Sequence, residues 1–294
     1  MAGHRERQAA VTWLMPLGTL VQFMLPRWVV VRIARVTASL TYRFNHKGRE
    51  RFIENCRHIL GPGTSESELR ATARRLFLHY VLNVLDLMRV PVMKRRVLDL
   101  VEMDTSGVDN ELSKKRGIVV VTGHFGNYDL AGVYMAARGY PMSAVIEPVP
   151  RGWARTYNRY RGATAMETIP IQDRKAMLES LRQGRMLALV SDRDLTGNGL
   201  LCPAFDAYRH YPKGAAAYSL RFGSPVIIAG MMFQHEPGRR PYRMEYKSVE
   251  FAPTGDTNAD VKAFTGLIAS EINDLIRRFP DQWLVFKAGW KTQP

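Results

Sequence analysis

One short stretch limits the possible folds of this chain more than any other. In it an apolar run ends at a glycine, and a histidine and an aspartate follow. It reads Gly-Ile-Val-Val-Val-Thr-Gly-His-Phe-Gly-Asn-Tyr-Asp-Leu-Ala-Gly over residues 117–132. The β-branched residues 118–122 lie between two glycines, which predicts a buried strand. From Leu130 the apolar spacing becomes helical, and it stops at Arg138-Gly139. A strand, a turn and a helix in this order are typical of an open α/β sheet.

His124 directly follows the predicted strand, at the edge where open α/β sheets bind their ligands. Asp129 lies about one helical turn further on, so its carboxylate can hold the imidazole in one tautomer while the other ring nitrogen faces a substrate. These are the base and the orienting acid of a catalytic triad without a nucleophile, so a substrate must supply the hydroxyl. A core histidine bonded to a nearby carboxylate is the structural alternative.

Length, composition and cysteine content limit the class of protein. A chain of 294 residues can form one large α/β domain, or a core with a helical appendage. Its hydrophobic content of 46% excludes a disordered protein. Cys56 and Cys202 lie in separate segments without metal-site spacing, so we expect no metal site and a reducing, cytoplasmic environment.

The net charge of +15 is concentrated at the start of the chain. Residues 1–100 carry 17 Lys and Arg against 7 Asp and Glu, whereas the rest carries 25 against 20. We therefore expect the N-terminal third to meet an anionic surface. A nucleic-acid binder would also have a pI near 10.1, but the basic residues interleave with apolar ones and no known binding module is present. No nucleic-acid partner is expected.

An uncharged, mostly apolar run over residues 8–26 lies between arginines. It is about as long as a membrane span, but prolines, threonines and glutamines dilute it. We favour a helix lying in the membrane interface, over a helix packed on the protein body or a true span. No small-residue cleavage site follows, so a removable signal peptide is not expected. Residues 28–35 continue as a basic amphipathic stretch whose arginines can reach lipid phosphates.

Helices are predicted for the rest of the N-terminal third. The first covers residues 47–60, and the second begins at the capping box Ser65-Glu-Ser-Glu68 and runs to Pro91. His79 and Asp86 lie near its apolar stripe, where we assign both a structural role. These helices should pack against the sheet, which predicts an N-terminal helical, basic, membrane-associating region over 1–104 and an α/β core over 105–294.

Strands and helices alternate after the histidine motif, which predicts an α/β fold with a single, mostly parallel central sheet flanked by helices. Further strands are predicted at 142–146, 168–171, 186–191 and 225–232, with an edge-like strand at 242–251. The intervening helices are predicted at 152–160, 174–183, 213–222 and 258–279.

Two further groups can converge on His124 if these strands are neighbours. The strand at 186–191 is followed by Asp192, Arg193 and Asp194, which places three charges at the same carboxyl edge. Arg155 and Arg159 share one face of the helix at 152–160 and suit a phosphate through forked hydrogen bonds. A solvated basic face is the alternative for these two arginines.

Taken together, these residues resemble a known family. They are similar to the bacterial lipid A lauroyl/myristoyl acyltransferases and their mycobacterial relatives that acylate phosphatidylinositol mannosides, within the glycerolipid/lysophospholipid acyltransferase superfamily. Residues 124–129 match the superfamily's histidine, four residues and acid, and Gly126-Asn127 is typical of this branch. Asp192 stands where the mannoside enzymes have glutamate, and Asp206 where the family usually has glycine. The segments 51–55, 202–205, 211–214 and 279–287 are also similar to family motifs.

The resemblance implies a membrane-associated O-acyltransferase on a glycerolipid acyltransferase-like fold. Such an enzyme moves a fatty acyl chain from acyl-CoA or acyl carrier protein to a hydroxyl of a lipid or glycolipid acceptor, without a cofactor or an acyl-enzyme. It would lie at the cytoplasmic face of the cytoplasmic membrane, as a peripheral or monotopic protein on an anionic surface.

The resemblance also implies roles for the site residues. His124 would be the general base, oriented by Asp129 with support from Asp192. Backbone amides of Gly126 and Asn127, or the Asn127 side chain, would stabilise the oxyanion. The remaining substrate-binding residues would hold a phosphate of the donor or acceptor; they are Arg155, Arg159 and Arg193.

Other functions have less support in the sequence but stay open. A serine hydrolase would use the same histidine and acid, but the chain lacks a Gly-x-Ser-x-Gly elbow. A thioesterase that uses water as acceptor is the nearest enzymatic alternative, and a non-catalytic membrane-binding protein is another. The sequence leaves the acceptor, the acyl length and the choice of donor open.

Overall fold

The computed structural model describes residues 25–147, 165–236 and 239–292, except for the side chains of residues 91, 92 and 94. Most of the predicted interfacial segment, residues 8–24, lies outside these ranges. So does the predicted helix at 152–160, with Arg155 and Arg159.

In the described part of the chain, three helices precede the first strand, and helices and strands are interspersed after it. The helices are α1 (Arg27–Phe44), α2 (His46–Leu60), α3 (Glu66–Met93), α4 (Ser106–Ser113), α5 (Tyr128–Ala137), α6 (Arg174–Arg182), α7 (Gly214–Phe222) and α8 (Thr257–Arg278). The strands are β1 (Val101–Glu102), β2 (Ile118–Thr122), β3 (Met142–Ile146), β4 (Glu167–Pro170), β5 (Met186–Val190), β6 (Leu200–Ala204), β7 (Ala207–Tyr211), β8 (Val226–Phe233) and β9 (Tyr242–Val249). Two 3-10 segments, Lys94–Leu100 and Pro280–Gln282, complete the list.

Seven strands form one central sheet in the order β1-β9-β8-β2-β5-β3-β4. All neighbours pair in parallel except β8 and β9, which are antiparallel. Both faces of the sheet are covered. Ile118 and Val120 of β2 join a hydrophobic cluster with α1, α2, α3 and α5, whereas Val119 and Val121 face α6, α7 and α8. The predicted α/β class with a mostly parallel sheet is confirmed.

The main differences from the predicted elements lie at the sheet edge and after β5. The strand predicted at 242–251 is not at the edge, because Val101 and Glu102 pair with Tyr242 and Arg243. A two-residue strand carries too little periodicity to be predicted. The antiparallel hairpin β6–β7 was also missed, since its turn places Phe205 at φ 60°, where glycine would have signalled the turn. Helix α3 continues past Pro91 to Met93.

The N-terminal helices α1, α2 and α3 share a hydrophobic cluster with residues of β2. Rings of Phe52 from α2 and Phe77 from α3 meet edge to face, with centroids 5.4 Å apart, and Phe286 contacts both. The main-chain N–H of Glu68 donates to Ser65 Oγ at 3.3 Å, which supports the predicted helix cap. One continuous core therefore joins these helices to the carboxyl end of the chain.

Two buried polar groups of α3 have the structural roles that the sequence indicated. Asp86, fully buried, accepts hydrogen bonds from Arg27 at 2.7 and 3.2 Å and from the Tyr242 hydroxyl. His79 donates from Nδ1 to the carbonyl of Asp281 at 2.7 Å, and its Nε2 lies 2.7 Å from Nε2 of His235. Both groups tie α3 to distant parts of the chain.

Helix α1 has two contrasting faces. Val30, Ala34 and Ala38 are buried against the protein. The outer face exposes large apolar side chains, namely Trp28, Ile33, Val36, Leu40 and Phe44, with exposed fractions of 45–69%. We call these five residues the α1 apolar stripe.

No helix in the described ranges combines the length and the hydropathy that crossing a membrane requires.

Candidate active site

Neighbouring strands β2 and β5 bring together two of the predicted site residues. The strands are parallel and in register, with Thr122 opposite Val190. His124 and Asp192 each lie two residues beyond that pair, at the carboxyl edge of the sheet. Segments that are 68 residues apart in the sequence therefore present a histidine and a carboxylate to each other.

The two side chains form a directed pair. Nδ1 of His124 lies 2.8 Å from Oδ1 of Asp192, and the main-chain N–H of His124 donates to Oδ2 at 2.9 Å. Because an ionised carboxylate can only accept, the proton of the neutral ring is on Nδ1, and Nε2 keeps its lone pair. The Asp192 side chain is fully buried while that of His124 is 17% exposed, so Nε2 can reach a substrate proton.

Asp192 stays ionised although it is buried. Burial by itself raises the pKa of a carboxyl group, but the attraction of His124 and three hydrogen bonds outweigh it and hold the pKa of Asp192 well below its ordinary value. Two of these bonds come from His124, and the third comes from the indole N–H of Trp283, which donates to Oδ2 at 2.8 Å.

A short segment near the carboxyl end of the chain supports the turn that carries the histidine. The N–H of Leu284 donates to the carbonyl of His124 at 2.6 Å, and the N–H of Gly126 donates to the carbonyl of Gln282 at 2.8 Å. Trp283 lies between these two bonds and is 1% exposed. Residues 282–284 therefore fix both the backbone of the histidine and the carboxylate that it contacts.

Arg209, on β7, contacts the main chain of Asp192. Its Nη2 donates to the main-chain carbonyl of Asp192 at 2.5 Å, and its Nε donates to the carbonyl of Ala288 at 3.0 Å. The guanidinium lies over the Trp283 ring, 4.6 Å from the centroid. Arg209 is 1% exposed, and such buried cations require partners of this kind.

Asp129, expected to orient the imidazole, does not hold Nδ1 of His124. Asp192 holds it instead, because the register of β2 and β5 places Asp192 level with the histidine whereas Asp129 lies in the first turn of α5. Asp129 is buried and lines the same cavity as His124.

The expected oxyanion donors at Gly126 and Asn127 are engaged within the fold. Besides the bond from Gly126 to Gln282, the N–H of Asn127 donates to the carbonyl of Met231 at 2.8 Å. Gly126 has φ 57°, and a Cβ there would lie 1.8 Å from that same carbonyl, so only glycine fits. The structure thus assigns both amides to the turn and not to an oxyanion hole.

The Asn127 side chain also has hydrogen-bond partners within the fold. Its Oδ1 accepts from the N–H of Leu130 at 3.1 Å and caps α5, and its Nδ2 lies 3.3 Å from the Tyr242 hydroxyl. The residue is fully buried. Asn127 therefore begins the helix and is not among the residues that line the cavity containing His124.

Arg193 and Asp194, the charged residues after Asp192, have different surroundings. Nη2 of Arg193 lies 3.4 Å from Nε2 of His124 and donates to Glu147 at 2.8 Å. Asp194 accepts from the N–H groups of Thr196 and Gly199 at 2.9 and 2.7 Å, so it stabilises the following turn. Arg193 faces the site as predicted, while Asp194 shapes the loop.

A cavity of about 1010 Å³ is lined by His124 and Arg193. Its other lining residues come from the sheet and the flanking helices, and most of its wall is apolar. Its wall includes Val120, Ala144, Ala188, Gly132 and the methionines Met103, Met135, Met142, Met166, Met177, Met186 and Met244. An apolar cavity with polar groups at one end suits a ligand that joins a hydrocarbon chain to a reactive head.

The described residues include no group of three or more His, Cys, Asp or Glu side chains placed to hold a metal ion.

Comparison with known proteins identifies the family. The model of the bacterial lipid A biosynthesis acyltransferases matches residues 4–292. The chain belongs to this family. The acyltransferase is also 25% identical over 295 residues to a phosphatidylinositol mannoside acyltransferase of Mycobacterium tuberculosis, covering 96% of this chain and 89% of that one. It is 25% identical over 267 residues to the protein of that name from Mycolicibacterium smegmatis, covering 86% and 83%. The resemblance inferred from the motifs is confirmed.

Two residues of this acyltransferase that contact Asp192 were not predicted as site residues. Trp283 lies in the segment 279–287, which was singled out as similar to a family motif but given no role. Arg209 lies in a hairpin that the sequence did not predict. Neither contact follows from local spacing, because both residues reach Asp192 only through the folding of the last part of the chain onto β5.

Proposed function

We propose that this acyltransferase moves a fatty acyl chain from an acyl thioester to a hydroxyl of a glycolipid acceptor of the lipid A or phosphatidylinositol mannoside type. The proposal rests on the His124–Asp192 pair, because its histidine lines a large apolar cavity. The donor is acyl-CoA or acyl carrier protein. The names of the relatives support the acceptor class.

In the proposed reaction, Nε2 of His124 removes the proton of the acceptor hydroxyl as its oxygen attacks the thioester carbonyl carbon. The tetrahedral intermediate then expels the thiolate, which takes the proton from His124. The products are an ester and a free thiol, and the enzyme returns to its starting state. Asp192 keeps the ring in the required tautomer and stabilises it while it is charged. General base catalysis of this kind contributes about 10²–10⁴-fold to the rate.

The cavity supports a long hydrocarbon chain on the donor. Its volume of about 1010 Å³ lies at the upper end of the range of roughly 300–1,000 Å³ that is usual for small-molecule sites. Methionines line it, and their unbranched side chains adapt to a flexible chain. A thioester at His124 would direct its acyl chain along this wall.

The α1 apolar stripe supports attachment at a membrane surface. Arg32, Arg35 and Arg43 are on the same helix and are exposed or partly exposed, so the helix can combine apolar burial with attraction to anionic headgroups. We propose peripheral or monotopic attachment at the cytoplasmic face of the cytoplasmic membrane. Phosphate binding by Arg155 and Arg159 stays a prediction, because both lie outside the described residues.

The test is a transfer assay on the full chain. Purified enzyme is incubated with a long-chain acyl-CoA or acyl carrier protein and a glycolipid acceptor in mixed micelles, and mass spectrometry measures acylated acceptor and free fatty acid. The proposal expects acylated glycolipid that depends on both substrates. Free fatty acid as the main product, with or without acceptor, would instead indicate a thioesterase. Lipid profiles of the host with and without the gene would then identify the acceptor.

A further inference from the structure

The dyad needs a partner that stabilises the negative charge on the thioester oxygen. Oxyanion stabilisation is usually the largest single contribution to acyl-transfer catalysis. The amides of Gly126 and Asn127 are bonded to backbone carbonyls, and the Asn127 side chain caps a helix. The donor must therefore come from another group that lines the cavity.

Arg193 has the right position. It lines the cavity, and its Nη2 is 3.4 Å from Nε2 of His124. This is a long hydrogen bond, since the usual range is about 2.7–3.2 Å, and a substrate oxygen bonded to Nε2 would replace it. A hydroxyl bonded to Nε2 would place the carbonyl that it attacks beside the guanidinium.

Arg193 also has an unused donor. Within the part of the chain that the structure describes, its Nε is buried and has no hydrogen-bond partner. A buried donor left unpaired is unfavourable, and an oxygen that accepts from that nitrogen would remove the penalty. The cost is present in the free enzyme, as expected of a donor held ready for a ligand.

Glu147 holds the guanidinium in place. The bond from Nη2 to its Oε1 is 2.8 Å long, and the side chains of Arg193 and Glu147 are 34% and 45% exposed. A fixed, planar guanidinium presents several N–H groups at once, and a lysine cannot reproduce that geometry.

We propose that Arg193 is a catalytic residue that donates hydrogen bonds to the thioester carbonyl oxygen as it becomes negatively charged in the tetrahedral intermediate. The inference rests on the proposed function, because it concerns the same acyl-transfer step. Negative charge appears on that oxygen when the acceptor attacks, and it disappears when the carbonyl re-forms and the thiolate leaves. Arg193 therefore binds the transition state more strongly than the ground state.

The test compares Arg193→Gln and Arg193→Lys with the wild-type enzyme, with thermal unfolding as the check on folding. Arg182→Gln is the matched control, since it breaks an arginine–glutamate ion pair on α6 away from the cavity. We expect kcat to fall about 10²-fold or more in both Arg193 variants, the usual effect of removing one oxyanion donor. KM for the acyl donor should change little. The Arg182 variant should keep wild-type kcat.

A binding experiment separates this role from phosphate binding. The probe is an S-alkyl-CoA thioether, which keeps the phosphates and the chain but lacks the carbonyl oxygen. Its Kd should be the same for wild type and Arg193→Gln. A weakened Kd with unchanged kcat would assign Arg193 to phosphate and overturn the inference, as would wild-type kcat in both folded variants.

Failure of the inference can be told apart from failure of the proposed function. If the wild-type enzyme acylates a glycolipid and Arg193→Gln does so equally fast, only the role of Arg193 is wrong. If the wild-type enzyme releases only free fatty acid, the proposed transfer is wrong. The Arg193 comparison then continues on hydrolysis, because water attack creates the same oxyanion.

Discussion

The indole N–H of Trp283 donates to Oδ2 of Asp192 at 2.8 Å, so a residue near the carboxyl end of the chain fixes the carboxylate that orients His124. The same carboxylate receives two bonds from His124 itself. Removing one of its donors leaves the charge less dispersed and raises the pKa of Asp192.

We therefore expect Trp283→Phe, which keeps an aromatic ring and loses only the N–H, to lower kcat about tenfold or more through the misaligned base. The acid limb of the kcat/KM against pH profile should move to higher pH, because a more basic carboxylate favours the protonated form of the dyad. Steady-state kinetics across pH measure both effects.

Trp290→Phe is the matched control, because its indole N–H donates to Asn55 at 2.9 Å and not to the dyad. It should lower thermal stability without moving the acid limb. Equal effects of the two substitutions on the pH profile would mean that the tryptophans act only through packing.

Gly132 of α5 offers a test of the cavity as an acyl site. A Cβ at this position would lie 2.6 Å from Sδ of Met166. Both residues line the cavity, so a larger side chain at position 132 would displace Met166 and take up cavity volume. Gly132→Leu should shorten the cavity and lower kcat/KM for long-chain donors about tenfold or more, because each methylene that no longer fits an apolar pocket costs about 1–3 kcal/mol. Short-chain donors serve as the internal control and should react at nearly the wild-type rate. An unchanged chain-length profile would place the acyl chain elsewhere.

The α1 apolar stripe predicts how the enzyme binds membranes. Replacing Val36 and Leu40, which are 61% and 52% exposed, by serine removes apolar area without disturbing the buried face of the helix. The double variant should sediment less with anionic vesicles than wild type, whereas Ser39→Ala on the same helix should not. Wild-type binding should weaken with salt but persist in part, since it combines charge with apolar burial. Equal sedimentation of all three proteins would move the membrane contact away from α1.

His79 predicts how stability depends on pH. Burial, with the nearby charges of His235 and Arg75, outweighs the effect of Asp281 and lowers the pKa of His79 from 6.5 to about 4. The unfolded chain binds this proton at higher pH than the folded chain does. The contribution of neutral His79 to the free energy of unfolding is therefore complete above pH 6.5 and is lost as the pH falls to about 4. The loss is of order 3 kcal/mol for a shift of this size.

Denaturant unfolding at pH 7.5 and 5 tests that prediction. The free energy of unfolding of the wild type should fall over this range. In His79→Gln, which has no ring to protonate, it should fall less. The same pH dependence in both proteins would show that other groups dominate.

The sequence predicted the strands well because their residues carry a local signal. The β-branched run of β2 and the helical spacing of α5 depend on neighbours a few positions apart. The sequence also placed His124, Asp192 and Arg193 at one sheet edge. It ranked Asp129 above Asp192 as the partner of His124, and the structure reverses that order, because the choice depends on the register between β2 and β5.

The contacts that the sequence missed are those made by long-range packing. The N–H of Gly126 faces the carbonyl of Gln282, and this pairing takes the amide away from the substrate. Arg209 and Trp283 reach Asp192 from a hairpin and from the end of the chain. Neither hydrophobic periodicity nor motif spacing predicts such contacts, although segment 279–287, which contains Trp283, is similar to a family motif.

The central claim is that His124 acts as the base and that Asp192, not Asp129, holds it. The most direct measurement is the initial rate of acyl transfer by wild type, His124→Ala, Asp192→Asn and Asp129→Asn, each shown to be folded by thermal unfolding. We expect His124→Ala to abolish transfer and Asp192→Asn to lower kcat about 10²–10⁴-fold, as loss of the orienting acid does in catalytic triads. Asp129→Asn should lose at least about tenfold but less than Asp192→Asn. Near-wild-type transfer by folded His124→Ala, or a smaller loss in Asp192→Asn than in Asp129→Asn, would contradict the account.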